Sequence, residues 1–175
     1  MQEFDFVLKF KLPDPAAPSA DFIEALGEVG CTDALVGTGQ MGLVAFDFTR
    51  EAASAHDAVT SAIKDVQTAI PGANLVEAAP DIVGLSEVAD LLGYSRQYLR
   101  KIACGSALGF PSPIHEGKPS IWHLAPVLGW FMTSRQRDVD SALMDLARVN
   151  MHLNLVISEV GSDAAEIDGL RALLT

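Results

Sequence analysis

EFDFVLKFKL, residues 3–12, alternates without a break. Phe4, Phe6, Leu8, Phe10 and Leu12 fall on one side, and Glu3, Asp5, Lys9 and Lys11 on the other. A period of two predicts a half-buried strand. PDPAAPS then reads as a loop, and Ser19 is placed to cap a helix through Phe22, Ile23, Leu26 and Val29. ALVGTGQMGLVAFDF predicts two short strands around a Gly-rich turn at Gly37, Gly39 and Gly42. From Glu51 to about Ile70 the pattern is helical, with Val59, Ile63, Val66 and Ile70 on one stripe, and Pro71-Gly72 ends it. NLVEAA predicts a last strand.

The predicted order is strand, helix, strand, strand, helix, strand. It resembles the ferredoxin-like split βαβ plan, an antiparallel sheet with two helices on one face. The expected class is α+β: a ferredoxin-like βαββαβ domain over residues 1–80, its boundary near Pro80-Asp81, then a mostly helical part. GTGQMG superficially suggests a phosphate-binding loop. However, the β-rich run LVAFDF follows it and no Walker lysine is present, so a hairpin turn is the expected form.

LSEVADLLGYSRQYLRKIA, residues 85–103, predicts two short helices joined by a tight turn. Ser86 sits where an N-cap is expected, and Val88, Leu91 and Leu92 supply an apolar side with Ala89 facing inward. Gly93 suits a left-handed helix end. Ser95 caps the second helix, whose inward residues are Leu99 and Ile102. Ala89, Gly93 four positions on, and the apolar Val88, Leu92, Tyr94, Leu99 and Ile102 resemble the helix-turn-helix motif. Downstream, GFPSPIHEGKPSIWHLAPVLGWF resembles the segment after the recognition helix in excisionase, AlpA and MerR-type DNA-binding domains. That resemblance implies a winged domain over residues 83–133. Phe110, Pro111 and Pro113 enter the wing, Gly117 and Lys118 form its tip, Trp122 packs back on the core, and His123 to Phe131 form a third helix. Glu116 next to Lys118 leaves the tip nearly neutral.

The resemblance implies that the recognition helix, residues 95–103, lies in the major groove and presents Ser95, Arg96, Gln97, Arg100 and Lys101. Arg96 and Gln97 are the candidates for reading bases, because arginine bonds guanine and glutamine bonds adenine bidentately. Arg100 and Lys101 fit phosphate contacts. Tyr98 either touches the DNA backbone or fills a surface gap. His115 and Lys118 are the candidate contacts from the wing.

Residues 138–175 predict a long helix. Ala142, Leu146, Val149, Leu153, Val156 and Val160 follow 4-3-4-3-4 spacing, a coiled-coil-like seam read as a homodimer joint. Asn150 and Asn154 beside it are candidates for fixing register, while Met144, Met151 and Leu155 widen the apolar surface. Ser162 is the expected cap of a final helix through Ile167, Leu170, Leu173 and Leu174.

Charge sharpens this picture. The chain carries a formal net charge of -11. Residues 1–82 hold 4 bases and 13 acids, residues 83–137 hold 6 and 3, and residues 138–175 hold 2 and 7. A polyanion is accepted only by the middle segment, where Arg96, Arg100 and Lys101 fall within six positions free of acids. Cys31 and Cys104 lie far apart without CxxC spacing, which suits a reducing, cytoplasmic setting and argues against a zinc site. No run of about 18 apolar residues and no signal-like N-terminus is present, so no membrane segment is expected. His56, His115, His123 and His152 lack a second ligand at metal spacing, Cys104 lacks a histidine partner, and no G-x-S-x-G elbow occurs. No cofactor and no enzymatic activity are expected.

The sequence thus favours a DNA-binding transcriptional regulator, most simply a repressor, acting as a homodimer on double-stranded DNA. Residues 1–80 would be its sensor or partner-binding domain and residues 138–175 its dimerisation helices. The alternative is an antitoxin or immunity-type adaptor whose acidic surface binds a basic protein partner and which regulates its own promoter through the same head. A third reading leaves the head as a scaffold without DNA.

Overall fold

A computed structural model describes residues 1–16, 19–105 and 109–173, with the side chains of 19–21, 38–40 and 104 outside the description. The chain is mixed α+β. Its first unit orders as β1 (Gln2–Lys11), α1 (Ser19–Glu28), β2 (Ala34–Gln40), β3 (Leu43–Ala52), α2 (Ala55–Ala69) and β4 (Asn74–Ala79). The four strands form one sheet in the order β2-β3-β1-β4, every neighbouring pair antiparallel. The alternation in β1 decides its faces. Phe4, Phe6, Leu8 and Phe10 are buried with Phe46 and Phe48 of β3, and Phe6 stacks on Phe48 at 5.2 Å. Each such ring contributes about 1.5–3 kcal/mol by leaving water. Residues of α1, α2 and a later helix complete this first core. The other sheet face is polar, with Glu3, Asp5 and Asp47 exposed.

Three local boundaries differ from the sequence reading. Strand β3 runs on through Glu51 and Ala52, and α2 starts only after Ser54, whose hydroxyl accepts the Asp57 N–H at 3.1 Å. Pairing with β1 as far as Gln2↔Ala52 holds Glu51 extended despite the Ala-rich sequence that follows it. The β2–β3 turn is at Met41-Gly42, with Gly42 at φ 78°, whereas Gly37 and Gly39 lie within β2. The expected Ser19 cap falls on a side chain outside the described residues.

The second unit starts with β5 (Ile82–Val83), a two-residue strand that the sequence did not announce. It continues through α3 (Leu85–Leu92), α4 (Arg96–Cys104), β6 (Trp122–His123) and α5 (Leu124–Arg135). β5 pairs antiparallel with β6. The cap of α3 is Gly84, whose N–H is bonded by Glu87 Oε2 at 2.7 Å; Ser86, expected to cap, is already inside the helix. The third helix begins after His123 and extends past Phe131 to Arg135.

α6 (Ser141–Glu159) is packed into both cores. Ala142 and Leu146 are buried in the first, with Val149 and Leu153 packed against it; Met144 and Ala147 are buried in the second, with Leu143 and Met151 against it. This corrects the dimer seam. Leu146, Val149 and Leu153 are spent on their own chain, and only Val156 and Val160 stay open, at 59% and 77% exposure. The wide apolar surface reflects two intramolecular partners. α7 (Ala164–Arg171) is capped by Asp163, not Ser162, and buries none of its residues.

Asn150 and Asn154 do not set a coiled-coil register. Asn154 accepts the Ala78 N–H and donates to the Ala78 carbonyl, each at 2.8 Å, acting as a neighbouring strand at the β4 edge. Its Nδ2 also donates to Asp81 Oδ2 at 2.9 Å, and Asp81 Oδ1 lies 2.9 Å from His123 Nδ1. Asn150 Nδ2 donates to the Pro80 carbonyl at 3.3 Å. Asp81 is fully buried. Leaving any one of these groups unpaired costs about 1–3 kcal/mol, so the set fastens sheet, α6 and the second unit together.

Candidate nucleic-acid interface

The α3–α4 pair is built from the outside residues inward. Gly93 ends α3 in the left-handed region, φ 67° and ψ 31°, where a side chain would be strained. The Tyr94 N–H then bonds the Ala89 carbonyl at 2.9 Å. The Ser95 hydroxyl accepts the Tyr98 N–H at 3.2 Å and starts α4. Val88, Ala89, Leu92, Leu99 and Ile102 are buried together with Trp122, Leu124, Leu128 and Phe131. With that side fixed, the helical period leaves Ser95, Arg96, Gln97, Tyr98, Arg100 and Lys101 exposed on α4. Arg96, Arg100 and Lys101 have no ion-pair partner among the described residues. Three unneutralised cations on one short helix give a local positive field on an acidic protein. Tyr98 stays exposed while its ring lies 5.0 Å from Tyr94.

The segment after α4 forms a minimal hairpin. Ile114 N–H bonds the Ile121 carbonyl at 2.9 Å and Ile121 N–H bonds the His115 carbonyl at 3.1 Å. Its tip holds Gly117 and Lys118. His115 and Lys118 are both exposed. A Cβ on Gly117 would displace the exposed His115 imidazole that packs over it. Trp122 fastens the hairpin to the core: its Nε1 donates to the Pro111 carbonyl at 3.0 Å and its ring meets Phe110 edge-on.

Two supporting features were not read from the sequence. Arg137 donates to the Leu92 carbonyl at 3.0 Å and sits over the Tyr94 ring at 5.3 Å, so it closes the α3 end and steadies the turn. It lies 45 positions from Leu92, and no local pattern announces such a bond. The Asp81–His123 contact is the other, joining the residue before β5 to the start of α5.

Elsewhere, Arg50 is gripped in the first unit. Its guanidinium donates to Asp33 at 2.6 and 2.9 Å and to Ser61 at 2.9 Å, and meets Asp65 at 2.8 Å. The bond from Arg50 holds the Asp33 carboxyl below its ordinary range. Burial works against the charge on Arg50, but the bonds to Asp33 and Asp65 more than offset it and raise its pKa. Burial, reinforced by Asp33, pushes the neighbouring Cys31 thiol up to about 11. A thiol held protonated at neutral pH is a poor nucleophile, so the cluster reads as structural. Among the described residues no three His, Cys, Asp or Glu side chains gather to hold a metal ion, and no helix is long and apolar enough to cross a membrane.

In comparison with known proteins, no family model matches the chain, and neither a curated protein nor a solved structure matches it.

Proposed function

We propose that the chain is a cytoplasmic, sequence-reading DNA-binding regulator that acts as a homodimer. The observation that carries this reading is the exposed face of α4, with Arg96, Gln97, Arg100 and Lys101 projecting from the second of two short helices whose turn, cap and inner face are all satisfied. The assignment is that α4 enters the major groove, Arg96 and Gln97 meet base edges, and Arg100 and Lys101 meet phosphates. His115 and Lys118 on the hairpin tip are assigned to the flanking backbone. In this reading the first unit, whose strand order supports a ferredoxin-like domain, is the sensor or partner-binding part. Pairing of two copies falls to the exposed end of α6, around Val156 and Val160.

The test is a binding titration against the DNA upstream of its own gene and against a scrambled control, at two salt concentrations. A preference of ~10³ or more for the upstream DNA is expected. Equal binding to both sequences refutes sequence reading. The acidic outer sheet face favours a second role beside this one, as an adaptor for a basic protein.

A further inference from the structure

Between the outer sheet face, α3 and the start of α6 runs an open groove of about 730 Å³. Part of its wall is apolar: Val7, Ile82, Leu91 and Leu143 line it, with Ile82 and Leu91 42% and 43% exposed. Apolar surface left open in a concavity of this size is the usual form of a binding site. Its rim carries Glu3, Asp5, Asp47, Glu87, Asp90 and Asp140. None of these six has a cation partner among the described residues. The one base in the lining, Lys9, is already engaged with Glu77 at 2.8 Å.

The arrangement selects its occupant. A nucleic acid is repelled. The carboxylates are spread along the groove and do not converge as metal ligands among the described residues, which disfavours a point ion. Pairing of a second copy is assigned to the exposed end of α6, and the acidic rim of one groove repels that of another. A basic, partly apolar chain meets both surfaces at once. We propose that the groove docks a cationic amphipathic segment of a partner protein, its Lys or Arg side chains toward the rim and its apolar side chains against Ile82 and Leu91. This deepens the adaptor role. The groove takes residues from α3 and none from α4, so docking leaves the α4 face free; that last consequence alone rests on the DNA reading.

The experiment titrates the full chain with an amphipathic Lys/Leu peptide and with a Lys/Ser peptide of equal length and charge. The double variant Asp47→Lys/Asp90→Lys is compared with Glu24→Lys/Glu28→Lys on α1, which changes the net charge equally away from the groove. The groove variant is expected to weaken the Lys/Leu peptide about tenfold or more, and the α1 variant about twofold at most. Leu91→Ser, an exposed position that leaves the charge alone, is expected to weaken it several-fold, and the Lys/Ser peptide is expected to bind at least about tenfold more weakly than Lys/Leu. Equal losses from both double variants, or equal binding of the two peptides, overturn the proposal. So does sedimentation showing that the chain alone self-associates through the groove and that Asp47→Lys/Asp90→Lys abolishes it. No DNA enters these measurements, so their failure and the failure of the DNA reading are separate results.

Discussion

The guanidinium of Arg50 is surrounded by Asp33, Asp65 and Ser61 and packed over the Phe48 ring. Those of Arg96 and Arg100 face solvent with no carboxylate in ion-pair reach among the described residues. The same chemical group is used up in one region and left available in the other. A cation whose bonds are all made inside the chain contributes to stability and offers nothing to a ligand. An exposed cation without a partner contributes little to stability, and its field is free for something else. What separates the two is the surrounding carboxylates, which sequence position does not reveal.

The comparison breaks first at Arg50. Arg50→Ala leaves Asp33 and Asp65 without their cation and is expected to cost about 3–5 kcal/mol in urea unfolding. A loss under ~1 kcal/mol would mean that the cluster is not structural. The pair also has a pH signature. Because Asp33 is held below its ordinary range in the folded chain, its contribution is fully present at neutral pH and is lost only as pH falls through the lowered value. In urea unfolding, Asp33→Asn should therefore cost stability at neutral pH and above, with the difference from the parent shrinking as pH falls through the lowered value.

Next in size is Leu153→Asp, which sets a charge against the first core and is expected to lower stability by about 2–4 kcal/mol at any protein concentration. A folded variant of unchanged stability that merely loses a dimer would return this residue to an intermolecular joint. Arg96→Ala is expected to leave unfolding within about 0.5 kcal/mol of the parent while costing about 1–3 kcal/mol of discrimination between DNA sequences. Uniform weakening on all DNA would take base reading away from Arg96. Smallest is Lys101→Ala, with an expected drop of about one unit in the slope of log affinity against log salt. An unchanged slope removes Lys101 from the phosphate contacts.

Local periodicity carried much of the first unit. The alternation of β1 names its buried face residue by residue. Of the expected stripe Val59, Ile63, Val66 and Ile70, Val59 and Val66 are buried on α2 beside Ala55, Ala58 and Ala62. Ile63 is partly buried, and Ile70 is buried just past the helix end. The turn at Gly93 and the cap at Ser95 were legible because each is a property of one residue and its immediate neighbours. The face of α4 followed from them. What escaped was non-local. Ile82 and Val83 are too short a run to signal a strand until Trp122 and His123 lie beside them. The six-residue seam in α6 was a true apolar pattern, but spacing along a helix does not say whose surface covers it. Here the sheet of the same chain does so over Leu146, Val149 and Leu153. The Arg50 cluster draws Asp33 and Asp65 from opposite sides in sequence, and the groove is assembled from β1, β3, β4, β5, α3 and α6, so neither is visible in any single window.

The sharing of α6 by two cores has a consequence for how the chain folds. Its bonds to Ala78, Pro80 and Asp81 bridge 70–76 positions in sequence. Closing a loop of that length is slow compared with making a helix or a hairpin, so this clasp belongs to the late part of folding. As synthesis proceeds from the N-terminus, both earlier units leave the ribosome with an uncovered flank until residue 154 follows them. A nascent chain halted before α6 should therefore hold helices and strands while yielding readily to protease, and protection should arrive for both units in the same step.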